Sequence, residues 1–151
     1  MKKSYVLGGA SAAMALALAV SGMSLAQDAI AKRREFMKSV GAAAKQSNEM
    51  IKGERAFDAK AAAEALTKVS TGFAEYLTLY PKGTETGGET TASPKIWEDR
   101  KGFEEKGQAF AKAAASAAEA AGKGKDAFAE AFKTVGGACK GCHETFRVQK
   151  K

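Results

Sequence analysis

Cys139-Lys140-Gly141-Cys142-His143 stands nine residues from the end of the chain, within a stretch whose apolar positions are Phe128, Phe132, Val135, Cys139, Cys142 and Phe146. Those positions recur at threes and fours, the period of one helix face. On a helix Cys139 and Cys142 lie three apart, and Cys139 and His143 four apart, so both thiols and the imidazole share a face. C-x-x-C-H is the attachment signature for c-type haem: two thiols add to the vinyl groups on one porphyrin edge and the imidazole reaches the iron. Gly136 and Gly137 precede it by one turn, each at a cost to the helix of about 1 kcal/mol relative to Ala. A flat ring lying against the backbone accounts for their presence. A thioredoxin-like dithiol wants its C-x-x-C in a βαβ context, which is absent. A structural zinc site lacks further ligands, because the chain has two Cys and one His in all. A plain disulfide would leave His143 a coincidence.

The remaining chain reads as three more helices of the same kind. Asp28 is placed to cap a first helix with the inward stripe Ile30, Arg33, Met37, Val40, Ala44 and Ile51, ending at Lys52-Gly53-Glu54. Asp58 caps a second, with Ala62, Leu66, Val69, Phe73, Leu77 and Tyr80 on one face and Pro81 as terminator. Residues 81–94 hold three Gly and four Thr without periodicity and form the one long connection. Ser93-Pro94 opens a third helix carrying Ile96, Trp97, Phe103, Gly107, Phe110, Ala114 and Ala117. Residues 122–125 are a short turn. No segment alternates with period two, so the expectation is all-α: an antiparallel up-down-up-down four-helix bundle with haem c at one end.

Composition narrows the function. The 151 residues carry 24 Lys+Arg against 17 Asp+Glu, a net charge of +7, too mild and too mixed in sign to demand nucleic acid. Mean hydropathy is −0.29, which argues against a polytopic membrane protein. At the N-terminus a basic head, Met1-Lys2-Lys3, precedes an uncharged apolar run over residues 6–20 and the small residues of Ser24-Leu25-Ala26. This is the three-part pattern of a secretory signal peptide, and the run is shorter than the ~20 apolar residues of a membrane span. The expected division is a signal peptide over 1–26 and one domain over 27–151. Cleavage leaves 125 residues, without Lys2 and Lys3 and so with a charge of +5, in the periplasm and with no membrane span.

With these residues in place, the chain resembles the cytochrome c′ family over nearly its whole processed length. Arg33-Arg34-Glu35-Phe36-Met37 with Val40-Gly41, then Lys52-Gly53-Glu54 and Ala56-Phe57-Asp58-Ala59, resemble the family's first helix and turn. Gly83-Thr84-Glu85 and Pro94-Lys95-Ile96-Trp97-Glu98-Asp99 resemble its crossover and third-helix start. Cys139 through Arg147 resemble its C-terminal signature. The resemblance implies one haem c per chain, joined through Cys139 and Cys142, with His143 as proximal ligand. It also implies Arg33 and Arg147 near the propionates and Trp97 packed in the pocket. Some members of the family dimerise through helices one and two, so a homodimer is admitted.

The family has two kinds of site. High-spin members place an apolar residue over the distal face and bind NO or CO; a low-spin, c-556-type branch places Met there. Four residues after Arg33 stands Met37, which agrees with the low-spin pattern. Bundle geometry supports the same assignment. In an up-down-up-down bundle Arg33, Met37, Tyr80, Trp97, His143 and Arg147 all fall at one end. Beyond residue 26 the only other Met is Met50, 13 residues further along, roughly 20 Å at 1.5 Å per residue. An inward Met is otherwise an ordinary core filler. His/Met ligation leaves no open coordination position and favours the reduced iron. The expected function is therefore one-electron transport in the periplasm and not enzymatic catalysis, since no second His is present to act as a distal acid–base group. The alternative is a five-coordinate gas-binding protein. Partners are expected to be redox proteins. Lys32, Arg34, Lys140, Arg147, Lys150 and Lys151 cluster in sequence at the predicted haem end, where they either steer an acidic partner or simply solvate the helices.

Overall fold

The computed structural model describes the backbone of residues 11–148 and the side chains of residues 25–148. The basic head of the proposed signal peptide, and most of its apolar side chains, lie outside the described residues. Five helices follow one another: α1 (Ser11–Lys52), α2 (Ala59–Thr78), α3 (Lys95–Glu98), α4 (Arg100–Ala121) and α5 (Lys125–Phe146). The four long ones are the expected antiparallel bundle, and no strand occurs among the described residues.

Two boundaries differ from expectation. Asp28 does not cap α1; the helix runs straight through it, and Asp28 instead pairs with Lys32 one turn on at 2.9 Å. The Ala- and Leu-rich residues before it are strong helix formers, and nothing among them stops a helix. The third helix is in two pieces. Asp99 adopts φ −124°, ψ 63°, and its carboxylate accepts from the Gly102 N–H at 3.0 Å, so the chain stops after α3 and restarts as α4. An Asp that offers its side chain to the backbone competes with helix continuation and caps a new one. Ser93 contributes as expected, accepting the Ile96 and Lys95 N–H groups on its carbonyl and hydroxyl. Asp58 likewise caps α2, accepting from Ala61 N–H at 2.9 Å.

The core lies mainly between α2, α4 and α5. Leu66, Val69, Phe73, Tyr76 and Leu77 of α2 meet Phe103, Phe110, Ala114 and Ala117 of α4, and Phe128, Phe132 and Val135 of α5 complete the layer. Gly107 allows the closest approach of α2 and α4: a Cβ there would stand 2.7 Å from a Leu77 methyl and 2.9 Å from the Phe73 ring. Met50, 1% exposed, fills the end remote from the crossover. The inward face of α1 differs slightly from the expected stripe. Its buried positions are Ile30, Arg33, Ala43, Ser47 and Met50, while Met37, Val40, Ala44 and Ile51 are only half-covered.

α1 is also the least engaged of the four long helices. It packs on α2 and touches α5 sparingly, whereas α4 packs extensively on both α2 and α5. The crossover, residues 79–94, closes over one end of the bundle. It is tied to the C-terminus by a single antiparallel bridge between Ala92 and Arg147, with Ser93 N–H donating to Phe146 O at 3.0 Å and Val148 N–H to Thr91 O at 2.9 Å.

Candidate functional site

Arg33 organises the crossover end. It is 4% exposed and has no carboxylate in ion-pair range among the described residues. Nε–H donates to Leu79 O at 2.5 Å, one terminal nitrogen to Thr84 O at 3.1 Å, and the other to the Thr84 hydroxyl. The guanidinium carbon lies 4.1 Å from the Tyr80 ring centre and 5.5 Å from that of Trp97. Burial lowers its pKa, and the neighbouring Tyr80 and Tyr76 act in the opposite sense. Three of its five N–H groups are therefore committed to the crossover, and two remain for an anionic group.

Around it runs a connected set of rings. Tyr80 packs edge-on against Trp97 at 5.7 Å, Phe103 at 4.8 Å and Tyr76 at 5.5 Å, and Phe103 continues to Phe146 at 5.3 Å. The Tyr80 hydroxyl donates to that of Tyr76. Burial pushes the Tyr80 phenol up to about 12 and the Tyr76 phenol well above the usual range. Trp97 Nε1–H donates to Pro81 O at 3.2 Å. Arg33, Tyr80 and Trp97, expected at one end, are thus together, and the Phe103–Phe146 contact and the Ala92–Arg147 bridge bring the end of α5, with the thiol motif, to the same end.

On α5, Cys139, Cys142 and His143 are half-buried, and both cysteines are free thiols. Burial raises the pKa of each, so they are neutral at ordinary pH and lack the depressed pKa of a redox-active dithiol. Burial, followed by the charge of Arg147, lowers the pKa of His143, which keeps the imidazole neutral and able to ligate. Arg147 itself is exposed at the end of α5. Met50 is far from this cluster, in the core of the opposite end.

The two faces that flank the site accept a flat apolar group. Between Arg33 and Ala43 no side chain of α1 is fully buried. Phe36, Met37 and Val40 are half-covered although apolar. On α5, a Cβ at Gly136 or Gly137 would meet nothing within 4 Å, and Ala138, Cys139 and Cys142 are half-covered. Half-covered apolar surfaces on two helices that touch each other sparingly, beside two neutral thiols and a neutral imidazole, fit haem c. They do not fit a bare metal ion: no group of three His, Cys, Asp or Glu is placed to hold one among the described residues. Nor is any described helix long and apolar enough to cross a membrane.

Sequence periodicity did not single out Tyr76 or Thr84. Tyr76 falls three after Phe73 and four before Tyr80, a spacing that carried the signal. Thr84, 2% exposed, sits in an aperiodic loop and is marked only by the buried Arg that needs an acceptor.

Comparison with known proteins agrees with this geometry. The family model described as Cytochrome C′ matches residues 28–147. A cytochrome c′ from Rhodopseudomonas palustris is 40% identical over 134 residues, 86% of this chain and 89% of its own. A cytochrome c-556 from Agrobacterium fabrum is 32% identical over 139 residues, 92% of this chain and 94% of its own. Among solved structures, the nitric oxide complex of a leucine mutant of cytochrome c prime from Alcaligenes xylosoxidans superposes with a TM-score of 0.73 at 28% identity, covering 82% of this chain and 97% of that one. The chain belongs to the cytochrome c′ family, electron-transfer or gas-binding haem proteins that carry one covalently attached haem c per chain.

Proposed function

We propose that this chain is a periplasmic electron carrier whose haem c is held through thioethers at Cys139 and Cys142, with His143 and Met37 as the two axial iron ligands. When bound, haem c supplies a one-electron couple at the iron. The chain's own residues set its character. A thioether opposite an imidazole closes the sixth position, favours the reduced iron, and needs little rearrangement when the charge changes. The observation that carries this reading is the identity of the half-covered face of α1. Phe36, Val40 and Ala44 there are hydrocarbon, and Met37 alone brings an atom that ligates iron. Met50, the other Met of the described side chains, is sealed in the core at 1% exposure. The similarity to a protein named cytochrome c-556 over 92% of this chain supports the same reading.

Arg33 keeps two N–H groups for a propionate, Arg147 stands near His143, and Trp97 walls the pocket. Residues 1–26 act as a signal peptide removed before haem attachment, and the partners are redox proteins. An intact mass of 125 residues plus one haem tests the processing. The competing reading is a gas-binding site, favoured by the solved nitric oxide complex of a relative. Absorption spectra of both oxidation states with and without CO separate the two. A low-spin wild type that takes up CO slowly, converted by Met37→Ala to a high-spin form that takes it up readily, supports the carrier. A high-spin wild type that binds CO at once refutes it.

A further inference from the structure

We infer that Gly72 of α2 and Phe36 of α1 form an interlock that fixes the position of α1 at the level of Met37 and so governs how firmly Met37 holds the iron. The inference rests on the reading of Met37 as sixth ligand. α1 is anchored at its two ends, by Ile30 and Arg33 near the crossover and by Ala43, Ser47 and Met50 beyond. Between these anchors no side chain of the helix is fully buried, and its contact with α5 is sparse. Phe36, the residue before Met37, is the one aromatic side chain of that middle stretch, and its ring packs into α2. Its ring stacks on Tyr76 with centroids 4.9 Å apart and planes 27° apart, and meets Phe73 edge-on at 5.8 Å.

Both rings belong to α2, and the seat between them is Gly72. A Cβ at Gly72 would stand 2.7 Å from Phe36 Cε2 and 3.4 Å from Cζ, with no other atom as near. Real Cβ atoms do not approach that closely, so a side chain at position 72 must displace the ring. Swinging the ring out forfeits both aromatic contacts. The sparsely held middle of α1 yields instead, and Met37 moves with it. Phe36 and Gly72 are positioning residues: neither touches the iron, and both act through the placement of the Met37 sulfur. A reacting or ligating atom misplaced by about 1 Å loses much of its effect.

The test uses the haem-loaded protein and four variants. Gly72→Ala should raise the high-spin fraction and speed CO uptake about tenfold or more, the scale expected when overpacking of this kind is relieved at the ligand. Adding Phe36→Leu, which removes the Cε2 and Cζ atoms that collide, should bring the spin state and CO rate back towards wild type. Met50→Ala matches or exceeds the loss of thermal stability from the same helix and should leave both readouts alone. Met37→Ala reports whether the ligand assignment itself holds. If Met37→Ala opens the site but Gly72→Ala changes only the melting temperature, or the double variant shows no recovery, the interlock is refuted and the ligand assignment stands. If the wild type is high-spin and Met37→Ala alters nothing, both fall together.

Discussion

Replacing Arg33 by Met removes the guanidinium that holds the crossover while keeping the length of the side chain. Two main-chain carbonyls, Leu79 O and Thr84 O, lose their partners. Each buried acceptor left unsatisfied costs about 1–3 kcal/mol. The Thr84 hydroxyl is less affected, because it still donates to Pro81 O at 2.8 Å. The guanidinium also lies 4.1 Å from the Tyr80 ring centre, a cation–π contact worth roughly 1 kcal/mol or more when desolvated. Against these losses stands the relief of a guanidinium buried to 4% exposure with no carboxylate of the chain beside it, which returns part of its desolvation cost. The losses total about 3–7 kcal/mol and the relief offsets only part of them, leaving a net destabilisation on the order of 2 kcal/mol. Urea unfolding of the haem-loaded protein measures it, and hydrogen exchange over residues 79–84 should show faster opening of the crossover. Arg33→Lys keeps the charge but replaces a planar fork by a single ammonium that cannot span Leu79 O and Thr84 O together. It should recover less than half of the loss. Full recovery by Lys, or a Met variant within 0.5 kcal/mol of wild type, would show that the fork geometry is not what holds the loop.

Met50→Ala should cost about 2–5 kcal/mol, as for a fully buried large side chain, with an unchanged absorption spectrum as the check on its distance from the site. Tyr80, pushed up to about 12, and Tyr76, pushed up further, must both ionise on alkaline unfolding. Their folded pKa values lie above the unfolded value near 10, so the stability they contribute is complete below pH 10. It is lost as pH rises from 10 through 12, by about 1.4 kcal/mol per pH unit for each group. The Tyr76→Phe/Tyr80→Phe double variant should show a flatter alkaline unfolding profile, and an unchanged slope would contradict the assignment. Asp58→Ala removes the acceptor for Ala61 N–H and should lower the unfolding free energy by about 1 kcal/mol.

Periodicity exposed the helices and the ends of most of them, because each long helix carries its own apolar stripe and a local stop such as Pro81 or Gly53. It did not expose the break at Asp99, where a side chain competes with the backbone for one N–H and the apolar period runs on through Ile96, Phe103 and Phe110 without a missed beat. The thiol motif was legible because covalent attachment demands fixed spacing. Arg33 was legible as a member of the inward stripe at the haem end, but its acceptors were not, because they belong to a loop 46 to 51 residues away that has no pattern of its own. The inward stripe of α1 misled at Ala44 and Ile51 for a physical reason. A helix that faces both protein and a prosthetic group divides its apolar surface between two directions, so its residues satisfy one period while only some are buried by the chain itself. In this protein Ala43, Ser47 and Met50 face the core, and Met37, Val40 and Ala44 stay half-covered. That division of one stripe into a sealed face and a half-covered one is what the proposed ligation asks of α1, with Met37 on the half-covered side.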